Sequence, residues 1–170
     1  MLAFEDETWL ELKPLIKATW MEKGKQRKVL TPGINRRVVA FITLLYPIKA
    51  IKYNIFSTKN TFFFKRHVRE LVRLVHKKGF NKLILVIDNA TYHRSKDSKK
   101  FMEQHRDELK VFYLPTYAPE LNEVDCSINR LLKADVCSNH SYGSLKELSQ
   151  DVARYLKRLN NRWQKQRDLT

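Results

Sequence analysis

Three aspartates have the residue type and the spacing to hold divalent metal ions. Asp6 follows the short apolar start of the chain, Asp88 ends its most hydrophobic stretch, and Asp125 lies early in a predicted helix. Ligand-binding side chains gather at strand ends in an open sheet, and three carboxylates meeting there would repel one another unless cations neutralised them. Because hard oxygen ligands favour Mg²⁺ or Mn²⁺ over zinc, the pattern predicts two-metal chemistry at phosphorus.

Each aspartate also has a structural interpretation that the residues alone leave open. Asp6 lies between two glutamates and could be a solvated residue at the end of a strand. Asp88 could open a turn with the residue that follows it, and Asp125 could be the partner of a helix cap at Asn122. Taken singly, each of these interpretations is as well supported as a catalytic one.

Helical phase separates Asp125 from Glu123, the nearest other carboxylate along the chain. At about 100° per residue, the apolar stripe spans roughly −80° to +60° relative to Leu121, and Asp125 falls inside it at about +40°. Glu123 falls on the opposite side, at about 200°. A carboxylate on a packing face needs a cation, which favours Asp125 as the functional residue. The predicted stripe contains Leu121, Val124, Ile128, Leu131, Leu132 and Val136.

The net charge favours an anionic partner. The chain has 170 residues, with 33 Lys and Arg against 18 Asp and Glu, which gives +15 at pH 7. The length suits one domain, and the 43% hydrophobic share is typical of a globular protein. We therefore expect nucleic acid first and an acidic membrane surface second, with a merely soluble basic domain as the alternative.

Several classes of protein are excluded early. The longest nearly apolar run, residues 38–48, is about half the roughly 20 residues that a spanning helix needs, so we expect no membrane. Two cysteines cannot build a disulfide framework or a four-cysteine zinc site, and four glycines cannot build a P-loop or a dinucleotide fingerprint. The start of the chain lacks the pattern of a signal peptide, so we expect a cytoplasmic protein.

The order of the predicted elements gives an α/β fold that would position the acids. After a short first strand, an antiparallel hairpin is predicted, and the remaining strands alternate with helices, which indicates parallel crossovers. The basic segment 13–37 contains two prolines and two glycines and is predicted as strand and loop. Further strands are predicted at 38–46, 50–56, 82–88 and 109–114, and helices at 64–77, 94–106, 122–136 and 144–163.

Four stretches carry the motifs of one family, in its order and at its spacing. The stretch FEDET, residues 4–8, resembles a first-strand DE motif, and Trp20 with Gly24 resembles a W…G element. LVIDNATYH, residues 85–93, resembles the DNA..H motif, and LPTYAPELNEVD, residues 114–125, resembles LPPYSPELNPIE. These stretches are similar to the catalytic domain of DDE-type transposases, in the bacterial and archaeal insertion-sequence branch of the Tc–mariner superfamily. One departure is the third acid, which is Asp where this branch usually has Glu.

The resemblance implies a ribonuclease H-like fold with a mixed five-stranded sheet flanked by helices, in a single catalytic domain over residues 1–170. It makes Asp6, Asp88 and Asp125 the catalytic, metal-binding triad for two Mg²⁺ ions, for which Mn²⁺ can substitute. It also implies cleavage of transposon-end DNA and strand transfer into target DNA, with nucleoid association when DNA is bound. We expect the family's N-terminal helix-turn-helix domains to be absent from this chain, and we expect a homodimer or a separately encoded helix-turn-helix partner.

Other residues would support this chemistry. Glu7, Asn89 and His93 would orient the metal ligands. The basic residues expected to contact DNA phosphates are Lys23, Lys25, Arg27, Lys28, Arg36, Arg37, Arg158 and Arg162. A solvated helix face is the alternative for the last two.

Two rival functions remain open at this level. The chain could be a non-catalytic, nucleic-acid-binding remnant of a transposase. It could also be a ribonuclease H-like nuclease or resolvase that acts on structured nucleic acid. Cleavage of end-containing DNA with Mg²⁺ or Mn²⁺, followed by a search for strand-transfer products, would separate the three.

Overall fold

A five-stranded mixed sheet forms the centre of the fold. The computed structural model describes residues 1–25, 28–116 and 118–167. The strand order is β3-β2-β1-β4-β5, with antiparallel pairing of β1 to β2 and of β2 to β3, and parallel pairing of β1 to β4 and of β4 to β5. This arrangement confirms the predicted mixed sheet. The strands are β1 (Leu2–Glu11), β2 (Arg37–Tyr46), β3 (Ala50–Phe56), β4 (Leu83–Ile87) and β5 (Leu109–Tyr113).

Helices cover both faces of the sheet. On one face, α1 and α2 pack against apolar side chains such as Phe41 and Leu85. On the other face, α3 and α4 pack against Ile42 and Leu44. The long apolar run of β2 is therefore explained by burial on both faces. The helices are α1 (Thr61–Lys77), α2 (Lys96–Gln104), α3, which comprises the successive turns Asp125–Asn129, Arg130–Leu132 and Lys133–Cys137, and α4 (Leu145–Arg167); a 3₁₀ turn, Pro119–Leu121, precedes α3.

The first strand carries acids to both faces because side chains alternate along a strand. Ala3 packs in the core beneath α1 and α2, whereas Phe4 packs on the core beneath α3 and α4. By the same alternation, Asp6 faces α3 and its two glutamate neighbours face α1. The expectation that Asp6 ends the first strand is wrong, since β1 continues to Glu11. The two flanking glutamates are not solvated either, because their side chains are buried.

The third helix departs from regular α-helical phase. Two of its turns, Asp125–Asn129 and Lys133–Cys137, are π-helical. A π-turn bonds over five residues and turns less per residue than an α-turn, so every fourth side chain stays on one face. The predicted stripe is therefore wrong at Leu131, which is 44% exposed. It is also wrong at Leu121, which is 51% exposed and lies in the 3₁₀ turn before α3. The buried positions are Val124, Ile128, Leu132 and Val136.

The basic segment between β1 and β2 has little regular structure. The strand predicted within it is reduced to a single parallel bridge, between Leu15 and Ser138. Most of its described residues are exposed, among them Trp20 and Ile34. No helix among the described residues is long and apolar enough to cross a membrane.

Candidate active site

Asp6, Asp88 and Asp125 line one open cleft of about 500 Å³. The parallel pairing of β1 with β4 sets two of them side by side. Phe4 pairs with Val86, and each strand reaches its aspartate two residues later. The third aspartate enters from the first turn of α3, which packs on the same face of the sheet. Carboxylates from three separate elements therefore meet at the seam between β1 and β4.

Asp6 is the most strongly perturbed of the three. Burial raises its pKa to about 7, and the negative charges of Glu7, Asp125 and Asp88 add to the increase. The side-chain amide of Asn129 donates a hydrogen bond of 2.5 Å to Asp6 Oδ2. Without a cation, this cleft therefore favours a proton on Asp6 near neutral pH.

Asp88 is held in its charged form. A hydrogen bond from His93 lowers its pKa, as does one from the backbone N–H of Ala90, while burial opposes the decrease. The Nδ1 atom of His93 lies 2.9 Å from Asp88 Oδ1, and the Ala90 N–H donates to the same oxygen at 2.9 Å. The turn interpretation of Asp88 is therefore also correct, since its side chain closes a turn while it lines the cleft.

His93 links Asp88 to Glu7 through the interior. The ring is buried, and its Nε2 atom lies 3.0 Å from Glu7 Oε1. Burial alone would lower the pKa of His93, but the bonds to Asp88 and Glu7 outweigh it and raise the pKa to about 10. His93 and Glu7, both predicted to orient ligands, thus lie behind the cleft and touch it through Asp88.

Two asparagines shape the entrance to α3. The side-chain amide of Asn122 donates to the backbone carbonyl of Glu5 at 3.0 Å, and its oxygen accepts from the Val124 N–H at 3.1 Å. Asn89 donates to the carbonyl of Leu114, at the end of β5. These bonds tie the loop before α3 to the sheet, which places Asp125 in the cleft.

Two residues of the site were missed by the sequence reasoning. Asn129 lies four residues after Asp125, a spacing that puts both near one face of a helix. Glu5 lies two residues from Glu7, and a period of two places both on the same face of β1. Both spacings can be read in the sequence. They were not distinctive, because Asn129 is one polar residue in a predicted helix and Glu5 is one of several neighbouring acids.

Comparisons with known proteins show the family to which the chain belongs. A family model described as DDE superfamily endonuclease matches residues 1–149. The chain belongs to this family. The family predicted from the four motifs is thereby confirmed.

Individual proteins are similar to this chain in sequence or in fold. The chain is 24% identical over 153 residues to the "Insertion element IS630 uncharacterized 39 kDa protein" of Shigella sonnei, covering 90% of this chain and 43% of that protein. The fold is similar to that of the "Mos1 transposase paired-end complex with left transposon end", with a TM-score of 0.72 and 15% identity over 92% of this chain and 47% of that chain. The "catalytic domain of Mos1 mariner transposase" matches with a TM-score of 0.63 and 15% identity, over 92% of this chain and 69% of that chain. The chain thus spans less than half the length of the curated relative, and the Mos1 likeness shows a ribonuclease H-like fold.

The described basic residues that were predicted to contact DNA lie outside the cleft lining. Arg37 opens β2, with its guanidinium 4.1 Å from the centre of the Trp9 ring. Arg158 and Arg162 line a groove on α4. The predicted residue Arg27 lies outside the described residues. Four others are exposed in the segment between β1 and β2: Lys23, Lys25, which pairs with Glu22 at 2.7 Å, Lys28 and Arg36.

The donor set of the cleft fits a hard divalent cation. Its three titratable side chains are all carboxylates, and no lysine or arginine is among the described residues that line it. Oxygen ligands of this kind suit Mg²⁺ and Mn²⁺. The mutual repulsion that raises the pKa of Asp6 is the interaction that such a cation would relieve.

Proposed function

We propose that the chain is the catalytic domain of a transposase, which cleaves transposon-end DNA and joins it to target DNA. The observation that carries this proposal is the convergence of three carboxylates from separate elements on one cleft, in a chain of net charge +15. Family membership and the Mos1 likeness support it, since the similar Mos1 structures include complexes with a transposon end and with Mn or Mg.

In this proposal, Asp6, Asp88 and Asp125 would hold two divalent ions. When bound, such ions activate an attacking oxygen and stabilise a leaving oxygen at phosphorus. The residues of the chain supply the positions of the ligands. Asn129 orients Asp6 by its hydrogen bond, and His93 holds one oxygen of Asp88. The basic surfaces outside the cleft would bind the DNA phosphates.

The proposal also covers the partner that recognises the transposon ends and the cellular location of the complex. Recognition of the transposon ends would come from a second copy of the chain or from a helix-turn-helix protein encoded separately. The complex would act at the nucleoid. Co-purification of the chain with end DNA, with and without such a protein, tests this part.

Loss of one carboxylate tests the assignment of the triad. Asp88→Ala should abolish Mg²⁺-dependent nicking of end-containing DNA, because it removes a metal ligand, while DNA binding in a gel-shift assay survives. Asp107→Ala, which removes an exposed aspartate, is the matched control and should nick normally. Full nicking by Asp88→Ala would exclude the proposed site.

Strand transfer separates the proposed function from its rivals. A transposase should join the 3′ ends of cut end DNA to a target plasmid, and the products are visible on a gel. Nicking without joining would favour a nuclease or resolvase. DNA binding without metal-dependent nicking would favour a non-catalytic remnant.

A further inference from the structure

A second group of metal-type ligands lies behind the cleft, on the opposite face of the sheet. Glu5 and Glu7 alternate with Asp6 along β1, so both side chains enter the layer of α1 and α2. One ligand atom from each of Glu5, Glu7 and His93 lies within 4.8 Å of the other two. None of the three lines the cleft that holds the aspartates.

Glu5 is the unexplained member of this group. Its side chain is fully buried, and neither of its carboxylate oxygens has a hydrogen-bond partner among the residues that the structure describes. The hydroxyl of Tyr92, whose ring centre lies 4.4 Å from that of His93, is also buried and lies beside Glu7. Buried carboxylates without partners are costly, and the neighbouring Glu7 adds repulsion. A bound cation would remove both penalties.

The other fully buried histidine shows how the same face satisfies an imidazole without a metal. His67 Nε2 lies 2.8 Å from the Thr43 hydroxyl, and its Nδ1 lies 2.6 Å from the Asn54 side-chain oxygen. Uncharged groups therefore occupy both ring nitrogens of His67. His93 instead lies between carboxylates on both sides, which is the environment of a metal ligand.

The orientation of the His93 ring matches that of metal-binding histidines. Such a histidine donates the N–H of one ring nitrogen to a carboxylate or carbonyl and binds the metal through the other nitrogen. Here Nδ1 lies 2.9 Å from Asp88 Oδ1, and Nε2 points to Glu7. Asp88 can therefore accept the Nδ1 proton and leave Nε2 for a metal ion.

We propose that Glu5, Glu7 and Nε2 of His93 bind one divalent ion of the Zn²⁺ class. An imidazole ligand favours Zn²⁺, whereas Mg²⁺ keeps several waters and oxygen ligands, for which a buried site offers little room. Binding displaces the Nε2 proton to solvent, and the two carboxylates balance the charge of the ion. The ion would fix His93 and, through it, Asp88. The site is independent of the proposed transposase function.

Metal binding by a protein with fewer cleft carboxylates tests the site without any measurement of activity. Asp6→Asn and Asp125→Asn together remove two of the three cleft carboxylates while keeping their size, and they leave Asp88, which accepts the Nδ1 proton of His93. After treatment with a chelator, this variant should still bind one Zn²⁺ per chain in a competition titration with a fluorescent indicator. Adding Glu5→Gln should weaken that binding by at least the roughly 10–100-fold that loss of a supporting group costs. Adding Glu11→Gln, on the same strand, is the matched control and should change nothing.

The coordination sphere gives a second readout that needs no change at Glu5. Zn²⁺ in the Asp6→Asn, Asp125→Asn variant should show one nitrogen ligand and otherwise oxygen ligands by X-ray absorption. Absence of Zn²⁺ binding, or equal affinity with Glu5→Gln, would overturn the proposal. Zinc that survives Glu5→Gln but is lost with His105→Gln would place the ion at the surface, where His76 and His105 flank Glu108.

Discussion

At the scale of single residues, the cleft depends on the alternation of acidic side chains between the two faces of β1. Asp6 faces the cleft, and its two glutamate neighbours face the interior with His93. The aspartate is therefore surrounded by negative charge from both sides of the sheet. Its pKa of about 7 results from its burial, to which this crowding adds.

The stability of the metal-free protein should fall as Asp6 ionises. Its pKa is raised from 3.8 to about 7 in the folded state, so the folded state binds the extra proton and stability is lost as pH rises through this window. Asp6→Asn removes the loss, and above pH 7 it should be more stable than the wild type by an amount on the order of a few kcal/mol. Urea unfolding with a chelator at pH 4 and pH 8 measures the difference. An equal difference at both pH values would contradict the assignment.

Asn129 should matter through Asp6 rather than through direct chemistry. Asn129→Ala removes the amide that donates to Asp6 Oδ2, and nicking should drop by about 10–100-fold, as for other groups that orient metal ligands. Raising the Mg²⁺ concentration should restore part of the rate. Asn129→Asp keeps the size but adds a fourth negative charge, so it should be worse than alanine at low Mg²⁺. Equal rates for all three proteins would remove Asn129 from the site.

At the scale of elements, most of the sheet was predictable and the third helix was not. The hairpin strand 50–56 and the strand ending near Asp88 follow from alternating and continuous apolar patterns, which are typical of strands at these short lengths. The meeting of Asp6 with Asp88 needed the parallel pairing of β1 and β4, which no local pattern contains. The π-turns of α3 could not be predicted from the sequence either. A regular step of about 100° per residue places Leu131 in the apolar stripe, and nothing in the pattern indicates a different step.

The π-turns make a testable distinction between two adjacent leucines. Leu132 is fully buried, whereas Leu131 is 44% exposed. Leu132→Ala should therefore lower the free energy of unfolding by about 2–5 kcal/mol. Leu131→Ala should stay within about 0.5 kcal/mol of the wild type. Urea unfolding measures the free energy of unfolding of both variants. Similar decreases for the two variants would favour a regular α-helix.

At the scale of the whole molecule, the acidic side chains of the cleft and the basic side chains predicted to bind DNA lie on different parts of the surface. The cleft gathers carboxylates, while the described basic residues predicted to bind DNA lie elsewhere on the surface. On α4, Arg154, Arg158 and Arg162 recur every four residues and line one groove, which Asp135 and Asp151 also line. Arg154 lies 3.1 Å from Asp151. If DNA lies along this groove, its phosphates would contact Arg158 and Arg162, since Arg154 is paired with Asp151.

The salt dependence of DNA binding tests this arrangement. If Arg158 and Arg162 each neutralise one phosphate, the double variant Arg158→Gln, Arg162→Gln should reduce the slope of log K against log salt by about 1.8, at roughly 0.9 per contact. The double variant Lys77→Gln, Lys78→Gln removes the same charge from the exposed end of α1 and is the matched control. Equal slopes for the two variants would mean that α4 contributes only to the total charge. A change confined to α4 would mean that DNA runs along this helix, because counterion release reports the phosphates actually contacted.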